Sequence, residues 1–209
     1  MKNLALIFLI TLLLPGCAAM LQGTGHDVNA EFPSRISDNI SLSFRDAIEN
    51  TRVFPLKLNE TFHSAIQLND ALIKLDGDRT TRYKIFSISG VKGKDLEFKI
   101  DSICSCLGFS KTIMPAKAYI LSESGKLLSE QGVKFTIGYP AYYKGRWENG
   151  NSSLDAFYIL VAFDSGSTGK SFDLSGVSHT GSGSFYLPMG ATSQYTGEIL
   201  VEVSEVEKG

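Results

Sequence analysis

The chain of 209 residues has no excess of positive charge and no apolar run long enough to cross a membrane. It has 20 basic and 22 acidic side chains, for a formal net charge of −2. A nucleic-acid-binding domain usually carries a basic patch or stripe, and no such stripe is visible. The apolar run Leu4–Leu14, interrupted by Thr11, is shorter than the roughly 20 residues of a transmembrane helix. We therefore expect neither a nucleic-acid partner nor a membrane-spanning helix.

The sequence also lacks the residue sets of an enzyme active site or a metal centre. Its three histidines are His26, His63 and His179, and no Gly-x-Ser-x-Gly motif stands between a strand and a helix. Cys104 and Cys106 would supply only two of the four ligands of a structural zinc site, and no histidine lies near them in the sequence. We expect a non-catalytic protein with no catalytic residue, no metal and no cofactor.

One segment resembles a phosphate-binding loop but lacks the first glycine of that motif. Asp164–Ser171 follows an apolar strand and ends in Gly-Lys-Ser, as the P-loop does. The first position of that motif is glycine, which lets the backbone turn its N–H groups inward. Here it is Asp164, whose carboxylate would repel phosphate. The segment is therefore predicted to be a polar loop that joins two strands, and no nucleotide partner is expected.

The first seventeen residues have the layout of an export signal. Lys2 is followed by the short apolar core Leu4–Leu14 and then by small residues. Leu14-Pro15-Gly16-Cys17 resembles the lipobox of bacterial lipoprotein signals, although Pro15 differs from the usual small or branched residue. The resemblance implies cleavage before Cys17 and acylation of its thiol and its new amine. The alternative is an ordinary secretory signal that happens to contain a cysteine.

The lipid anchor would determine where the protein works. One acyl chain binds a membrane only marginally, whereas two or more hold a protein there. In the sorting rule of enteric lipoproteins an Asp after the lipidated cysteine retains the protein at the inner membrane, and here that residue is Ala18. We therefore expect the periplasmic side of the outer membrane, with the cell surface or the inner membrane as alternatives.

Composition and patterning predict one β-rich domain after a tether. Residues 18–50 are poor in apolar residues and rich in Gly, Asn and Ser, which indicates a flexible tether with one short helix near Ser43–Asn50. From Val53 onward short apolar or alternating runs are separated by turn residues. The domain plan is a signal peptide over 1–16, a lipidated N-terminus and tether over 17–50, and the domain over 51–209.

The alternating runs predict an all-β fold, a single antiparallel β-sandwich of jelly-roll-like form. In Leu96–Ile103 the residues Leu96, Phe98 and Ile100 face one way. Phe157–Phe163 is apolar throughout, so it is expected to be a central strand that is buried on both faces. Ala71–Leu75 fits either a strand or a helical turn. The expected strands are Val53–Leu56, Phe62–Ile66, Tyr83–Ile88, Leu96–Ile103, Ala116–Leu121, Phe157–Phe163 and Glu198–Val203.

The pair Cys104 and Cys106 is expected to form a disulfide, because the bacterial envelope is oxidising. In a straight strand their Cα atoms would be about 6.6 Å apart, near the upper limit for a disulfide. A bulge or turn is therefore needed, and Gly108 is close enough to help. A redox motif is the alternative interpretation.

The segment Tyr139–Asn149 is predicted to be an aromatic loop and a candidate ligand-binding surface. Aromatic faces stack on sugars or peptides, and charged side chains beside them supply oriented hydrogen bonds. In the alternative interpretation, the aromatic residues only pin a long connection to the sheet. The candidate ligand-binding residues are Tyr142, Tyr143, Arg146 and Trp147.

The order of these segments resembles the maltose-operon periplasmic protein family. The segments that carry the resemblance are Phe62–Ile66, Tyr83–Ile88, Leu96–Ile103, Tyr119–Gly125, Tyr139–Trp147, Tyr158–Phe163, Pro188–Ala191 and Tyr195–Val203. The resemblance implies a periplasmic, non-enzymatic protein that is linked to carbohydrate uptake. A looser likeness is to the small β-sandwiches appended to secreted peptidases.

The resulting hypothesis is a lipid-anchored envelope protein that acts as a binding or accessory module. Its partners would be the membrane, through the lipid anchor, and a glycan or an envelope protein. The alternative is a structural accessory lipoprotein that docks on an envelope protein complex.

Overall fold

Two β-sheets that pack against each other form the body of the protein. The computed structural model describes residues 40–75, 79–105, 111–132, 141–148, 154–173, 176–180, 183–187 and 190–206. The signal peptide 1–16, Cys17, the tether up to residue 39, and Cys106 lie outside these ranges. Within them, no helix has the length and apolar character needed to cross a membrane.

The described elements are sixteen strands, one α-helix and one 3-10 turn at Ser165–Ser167. The helix, α1, spans Phe44–Asn50. The strands are β1 (Ile40–Ser41), β2 (Val53–Pro55), β3 (Thr61–Ile66), β4 (Leu72–Leu75), β5 (Arg79–Ser89), β6 (Asp95–Ser102), β7 (Thr112–Ile113), β8 (Ala116–Ser122), β9 (Leu127–Gly132), β10 (Ala141–Glu148), β11 (Ala156–Phe163), β12 (Ser171–Asp173), β13 (Gly176–Thr180), β14 (Gly183–Leu187), β15 (Gly190–Ser193) and β16 (Gly197–Glu205).

The larger sheet has seven strands in the order β1-β4-β5-β11-β8-β9, and β2 pairs with β5 beside this path. The second sheet has the order β10-β6-β16-β3, and two smaller sheets are formed by β12-β15-β7 and β13-β14. Most pairs are antiparallel, while β1–β4, β2–β5 and β15–β7 are parallel. The predicted all-β antiparallel sandwich is confirmed, with three parallel pairs that the alternation of residues did not indicate.

Strand β11 is the centre of the larger sheet, between β5 and β8. Ile159 and Leu160 are both fully buried. Ile159 belongs to the core between the two main sheets, whereas Leu160 belongs to a second apolar cluster on the opposite face. The prediction of a central strand that is buried on both faces is therefore confirmed.

The second sheet contributes one alternating face to the core between the sheets. Leu96, Phe98 and Ile100 of β6 are buried there, as their spacing predicted. The Phe98 ring meets the ring of Phe157 in an edge-on contact, with the centroids 5.6 Å apart. Such aromatic contacts add to the free energy gained from burying apolar surface. The ambiguous segment Ala71–Leu75 contains strand β4.

Helix α1 lies over the outer face of the larger sheet. Ser43 caps it by accepting a hydrogen bond from the Asp46 backbone N–H at 3.1 Å. The Asp46 carboxylate accepts a hydrogen bond from the Leu42 backbone N–H at 2.7 Å, so two amide groups at the helix start are satisfied reciprocally. Ala47 is fully buried against the sheet. The helix expected near Ser43–Asn50 is thus confirmed.

The boundary expected between tether and domain at residue 50 lies too late in the chain. Strand β1 pairs with β4, and Ala47 belongs to the buried cluster under the helix. The described part of the compact unit begins at Ile40. The segment is attached by the two-residue strand β1 and by Phe44, Ala47 and Ile48 of the helix, which pack against the larger sheet. So short a stretch gives only a weak periodic signal.

Candidate functional site

A cleft opens on the outer face of the larger sheet, beside helix α1. The helix has seven residues and is about 10 Å long, whereas β5 has eleven residues and extends over about 36 Å. The helix therefore covers only part of this face. The cleft has a volume of about 850 Å³, within the range of ligand sites in proteins. Its walls come from residues 42–45, β4, β5, β8, β9 and the turn 164–166.

The cleft has more cationic than anionic side chains. Its carboxylates are Glu130 and Asp164, and both are already engaged within the protein, as described below. Cations held in a partly enclosed cleft create a positive potential that attracts anions. The cationic residues that line it are Arg45, Lys74, Arg79 and Lys117.

Lys117, Glu130 and Tyr119 form a connected group on β8 and β9. The Lys117 ammonium makes an ion pair with Glu130, and it lies 5.3 Å from the centre of the Tyr119 ring. Burial raises the pKa of the Tyr119 phenol. Burial lowers the pKa of Lys117, but the Glu130 carboxylate and Tyr119 raise it more, so the net shift is upward. Lys117 therefore stays protonated and keeps its positive charge in the cleft.

Asp164 closes the turn that forms another wall of the cleft. Its carboxylate accepts a hydrogen bond from the Gly166 backbone N–H at 3.1 Å and one from the Ser167 hydroxyl at 2.7 Å. In a P-loop such an N–H donates to a phosphate, whereas here the Gly166 N–H donates to the Asp164 carboxylate. The predicted polar loop between two strands is confirmed, since the 3-10 turn lies between β11 and β12.

Large apolar side chains are exposed in the same cleft. Leu42 is 74% exposed and Leu127 is 39% exposed, and both line it together with Phe44 and Leu75. The Phe44 ring packs against the Tyr119 ring, with the centroids 5.3 Å apart. The cleft therefore has apolar side chains directly beside cationic ones.

Arg79 is the least constrained of these cations. Its side chain is exposed, and among the described residues it has no ion-pair partner. By contrast, Arg45 pairs with Glu49 along the helix at 2.8 Å, and Lys117 pairs with Glu130. Arg79 can therefore offer its guanidinium to a bound anion without first breaking an ion pair.

The segment predicted to be an aromatic loop is largely a strand. Ala141–Glu148 forms β10, antiparallel to β6 at one edge of the second sheet. Tyrosine and tryptophan favour strands, and the alternation of these residues with polar ones suits an edge strand. The interpretation of this stretch as a loop was wrong, because the aromatic residues that suggested a binding loop also favour a strand.

The register of β10 divides the four candidate residues between two faces. Tyr143 and Trp147 stand opposite Ile100 and Leu96 of β6, which belong to the core face. Tyr142 and Arg146 occupy the alternate positions, as directly opposed residues share a face of the sheet. The four candidates thus occupy alternating register positions of one edge strand, and their role in binding stays a prediction.

The outer face of the second sheet carries a polar row next to β10. Asp101 is 3% exposed, and one of its oxygens lies 3.1 Å from the Lys99 ammonium. Tyr142 is opposite Asp101, and Lys144 is opposite Lys99. An aromatic residue thus stands at a register position beside a buried carboxylate.

The remaining candidates from the sequence lie apart from the cleft. Cys104 is buried and disulfide-bonded, while its expected partner Cys106 is outside the described residues. His63 is exposed and lies 3.3 Å from Glu198 on the second sheet. Across the described ranges, no group of three or more His, Cys, Asp or Glu side chains could hold a metal ion.

The cleft was not found from the sequence because its residues come from six separate segments. No two of Arg45, Arg79 and Lys117 lie within a common motif. One local signal existed in β8, where Lys117 stands between the buried residues Ala116 and Ala118. A cation within an apolar strand indicates a position where the sheet face is not covered.

No protein-family model and no curated protein matches the chain. Among solved structures, it is similar to the pre-peptidase C-terminal domain of a collagenase from Bacillus anthracis, with 10% identity, a TM-score of 0.33, and coverage of 73% of this chain and 95% of that one. It is also similar to CorA, a surface-associated copper-binding protein important in copper acquisition by Methylomicrobium album BG8, with 11% identity, a TM-score of 0.42, and coverage of 75% and 98%.

A third similar structure is PliG of Aeromonas hydrophila, a periplasmic inhibitor of g-type lysozyme. The identity is 7% and the TM-score is 0.29, with coverage of 73% of this chain and 96% of that one. At these TM-scores the three structures support no inference about the ligand or partner of this chain.

Proposed function

We propose that the protein is a lipid-anchored protein of the bacterial envelope whose β-sandwich is a non-catalytic binding module. The observation that carries the binding role is the cleft beside α1. It combines a volume suited to a small ligand with cationic and apolar side chains that are exposed side by side. Exposed apolar side chains grouped in this way are typical of recognition sites.

The state of the carboxylates in the cleft favours binding over catalysis. A general base must be free to accept a proton from a substrate. Glu130 is held by Lys117, and Asp164 is held by its own turn through two hydrogen bonds. The polar groups are therefore fixed in place, which suits the recognition of a ligand.

In this proposal, a lipid on Cys17 would keep the domain attached to a membrane. Residues 18–39 would connect Cys17 to the body, and a chain of about 22 residues spans at most about 75 Å when fully extended. The chain enters the folded unit at Ile40, and the next residues, from Leu42, are part of the cleft wall.

Mass spectrometry of the protein extracted from membranes tests the anchor. We expect a chain that starts at Cys17 and carries the mass of three acyl groups, and we expect Cys17→Ser to remove that mass. A full-length chain from Met1 in the soluble fraction would contradict the proposal.

The link to carbohydrate uptake depends on the polar row beside β10. Tyr142 stands opposite the buried Asp101, and Arg146 stands opposite Glu97, so aromatic and charged residues share one row, as in glycan sites. Binding to an array of oligosaccharides tests it, with Tyr142→Ala and Arg146→Gln as variants. If no glycan binds and crosslinking in cells captures one envelope protein instead, the accessory role is the better description.

A further inference from the structure

We infer that the cleft beside α1 binds an amphiphile with an anionic head, a carboxylate or a phosphate, and an apolar chain. The inference rests on the proposed function, because it names the ligand class of that binding module. It follows from two properties of the cleft that occur side by side: an excess of cationic side chains and a set of exposed apolar ones.

The charge of the cleft selects the sign of the head group. Four cations and two carboxylates line it, and both carboxylates are engaged within the protein. Arg79 has no ion-pair partner among the described residues. A guanidinium can bind a carboxylate or a phosphate through two parallel hydrogen bonds. A cationic ligand would instead be repelled by the unpaired charge of Arg79.

The apolar residues of the cleft select the rest of the ligand. Leu42 and Leu127 are exposed in the wall, and the partly buried Phe44, which packs on the buried Tyr119, lines the same cleft. Covering these leucine side chains with a ligand chain is favourable because it removes apolar surface from water. An inorganic anion would leave this surface in water, and a neutral amphiphile would leave Arg79 without a partner.

The test uses the chain as it is purified from cells, held in uncharged amphipol particles. Binding of dodecyl phosphate and of dodecanoate is measured below their micelle concentrations. Dodecyl maltoside has the same chain and a neutral head, and inorganic phosphate has the head without the chain. We expect saturable binding of both anionic amphiphiles and at least about tenfold weaker binding of the other two ligands, since a hydrogen bond to a charged group and a buried chain are each worth that factor.

Two pairs of variants assign the binding to the cleft. Arg79→Gln should weaken dodecyl phosphate binding about tenfold, while Lys92→Gln, an equal loss of charge at an exposed residue outside the cleft, should not change it. Leu42→Asn should weaken binding, and Leu68→Asn, at a leucine that is 59% exposed elsewhere, should not. Circular dichroism confirms that each variant is folded.

Vesicles of phosphatidylcholine with and without phosphatidylglycerol identify the source of the ligand. If phosphatidylglycerol vesicles compete with dodecyl phosphate, the ligand is a membrane lipid; if they do not, it is a free anionic amphiphile, and either result agrees with the inference. Equal binding of dodecyl maltoside, or equal binding by Arg79→Gln and Lys92→Gln, would overturn it. These results leave the acyl mass at Cys17 untouched, so a failure here is distinct from a failure of the proposed anchor.

Discussion

The hydroxyl oxygen of Tyr83 lies 2.9 Å from the hydroxyl oxygen of Ser41, in a buried hydrogen bond that joins β5 to β1. Tyr83 also contacts the hydroxyl of Thr51, just after helix α1. One side chain, itself fully buried, therefore ties both ends of the segment 41–51 to the larger sheet. This segment carries one wall of the cleft, so its position determines the shape of the site.

Tyr83→Phe should lower the free energy of unfolding by about 1–3 kcal/mol, because it leaves the buried Ser41 hydroxyl without its partner. Urea denaturation followed by circular dichroism measures the loss. In the double variant Ser41→Ala/Tyr83→Phe both polar groups of that bond are gone, so part of the stability should return. A double variant no more stable than Tyr83→Phe would show that the bond to Thr51 dominates.

Gly125→Ala should destabilise the protein more than Gly93→Ala. Both glycines have positive φ, +78° and +72°, and each substitution costs roughly 1–2 kcal/mol for that reason. A Cβ at Gly125 would also lie 2.8 Å from the Arg45 Cα, whereas a Cβ at Gly93 would have no neighbour within 4 Å. Thermal unfolding of the two variants measures the difference in melting temperature. Because the cost of positive φ is common to both, this difference reports the contact between the β8–β9 turn and α1. Equal melting temperatures would contradict this contact.

Alkaline pH should destabilise the protein through Tyr119 and Lys117. Burial raises the pKa of Tyr119, and the surroundings of Lys117 give it a net upward shift as well. A group with a raised pKa holds its proton more tightly when folded, so its contribution is complete below its unfolded pKa and is lost as pH rises through the folded one. Stability should therefore fall above about pH 10, the ordinary pKa of tyrosine.

The alkaline loss is measured as the shift of the urea midpoint with pH, in the wild type and in Tyr119→Phe. The variant has no phenol to ionise, so its midpoint should fall less steeply. A steeper fall in the variant would mean that Tyr119 does not resist ionisation in the folded state.

Asp164→Ala should cost about 1 kcal/mol of stability, the usual effect of removing a cap. The Gly166 N–H and the Ser167 hydroxyl would both lose the carboxylate that accepts their hydrogen bonds. Asp155→Ala, at an exposed residue in the turn before β11, is the matched control and should be close to neutral. Urea denaturation of the two variants provides the comparison.

Trp147→Ala should destabilise the fold more than Tyr142→Ala. Trp147 stands opposite the core residue Leu96, whereas Tyr142 stands opposite Asp101 on the outer face. A tryptophan-to-alanine change on the core face of a sheet typically costs about 3–5 kcal/mol, and a change on the outer face costs much less. Thermal unfolding of both variants checks which one is less stable. If Tyr142→Ala were the less stable variant, Tyr142 rather than Trp147 would lie on the core face of β10.

Much of the sandwich could be predicted from the sequence because strand signals are local. The alternation in Leu96–Ile100 and the continuous apolar run of β11 each reflect which faces of a strand are buried. The capping pair Ser43 and Asp46 likewise lies within four residues. The pairing of β1 with β4 could not be predicted, since two residues carry no period.

The candidate site was beyond prediction for a different reason. Arg45, Arg79 and Lys117 line one cleft only because β4, β5, β8 and β9 belong to the same sheet. Helix α1 leaves part of the outer face of that sheet uncovered. The order of strands in a sheet depends on contacts between distant segments, which no local pattern records.

The sequence by itself determined that the chain forms β-strands with defined inner faces, because side chains alternate across a strand and water favours burial of the apolar set. Only the tertiary structure decided that residues 40–50 belong to the folded unit, that the aromatic segment is an edge strand, and where the cationic cleft lies. Those features depend on which strands become neighbours, and that choice is made by the packing of the whole domain.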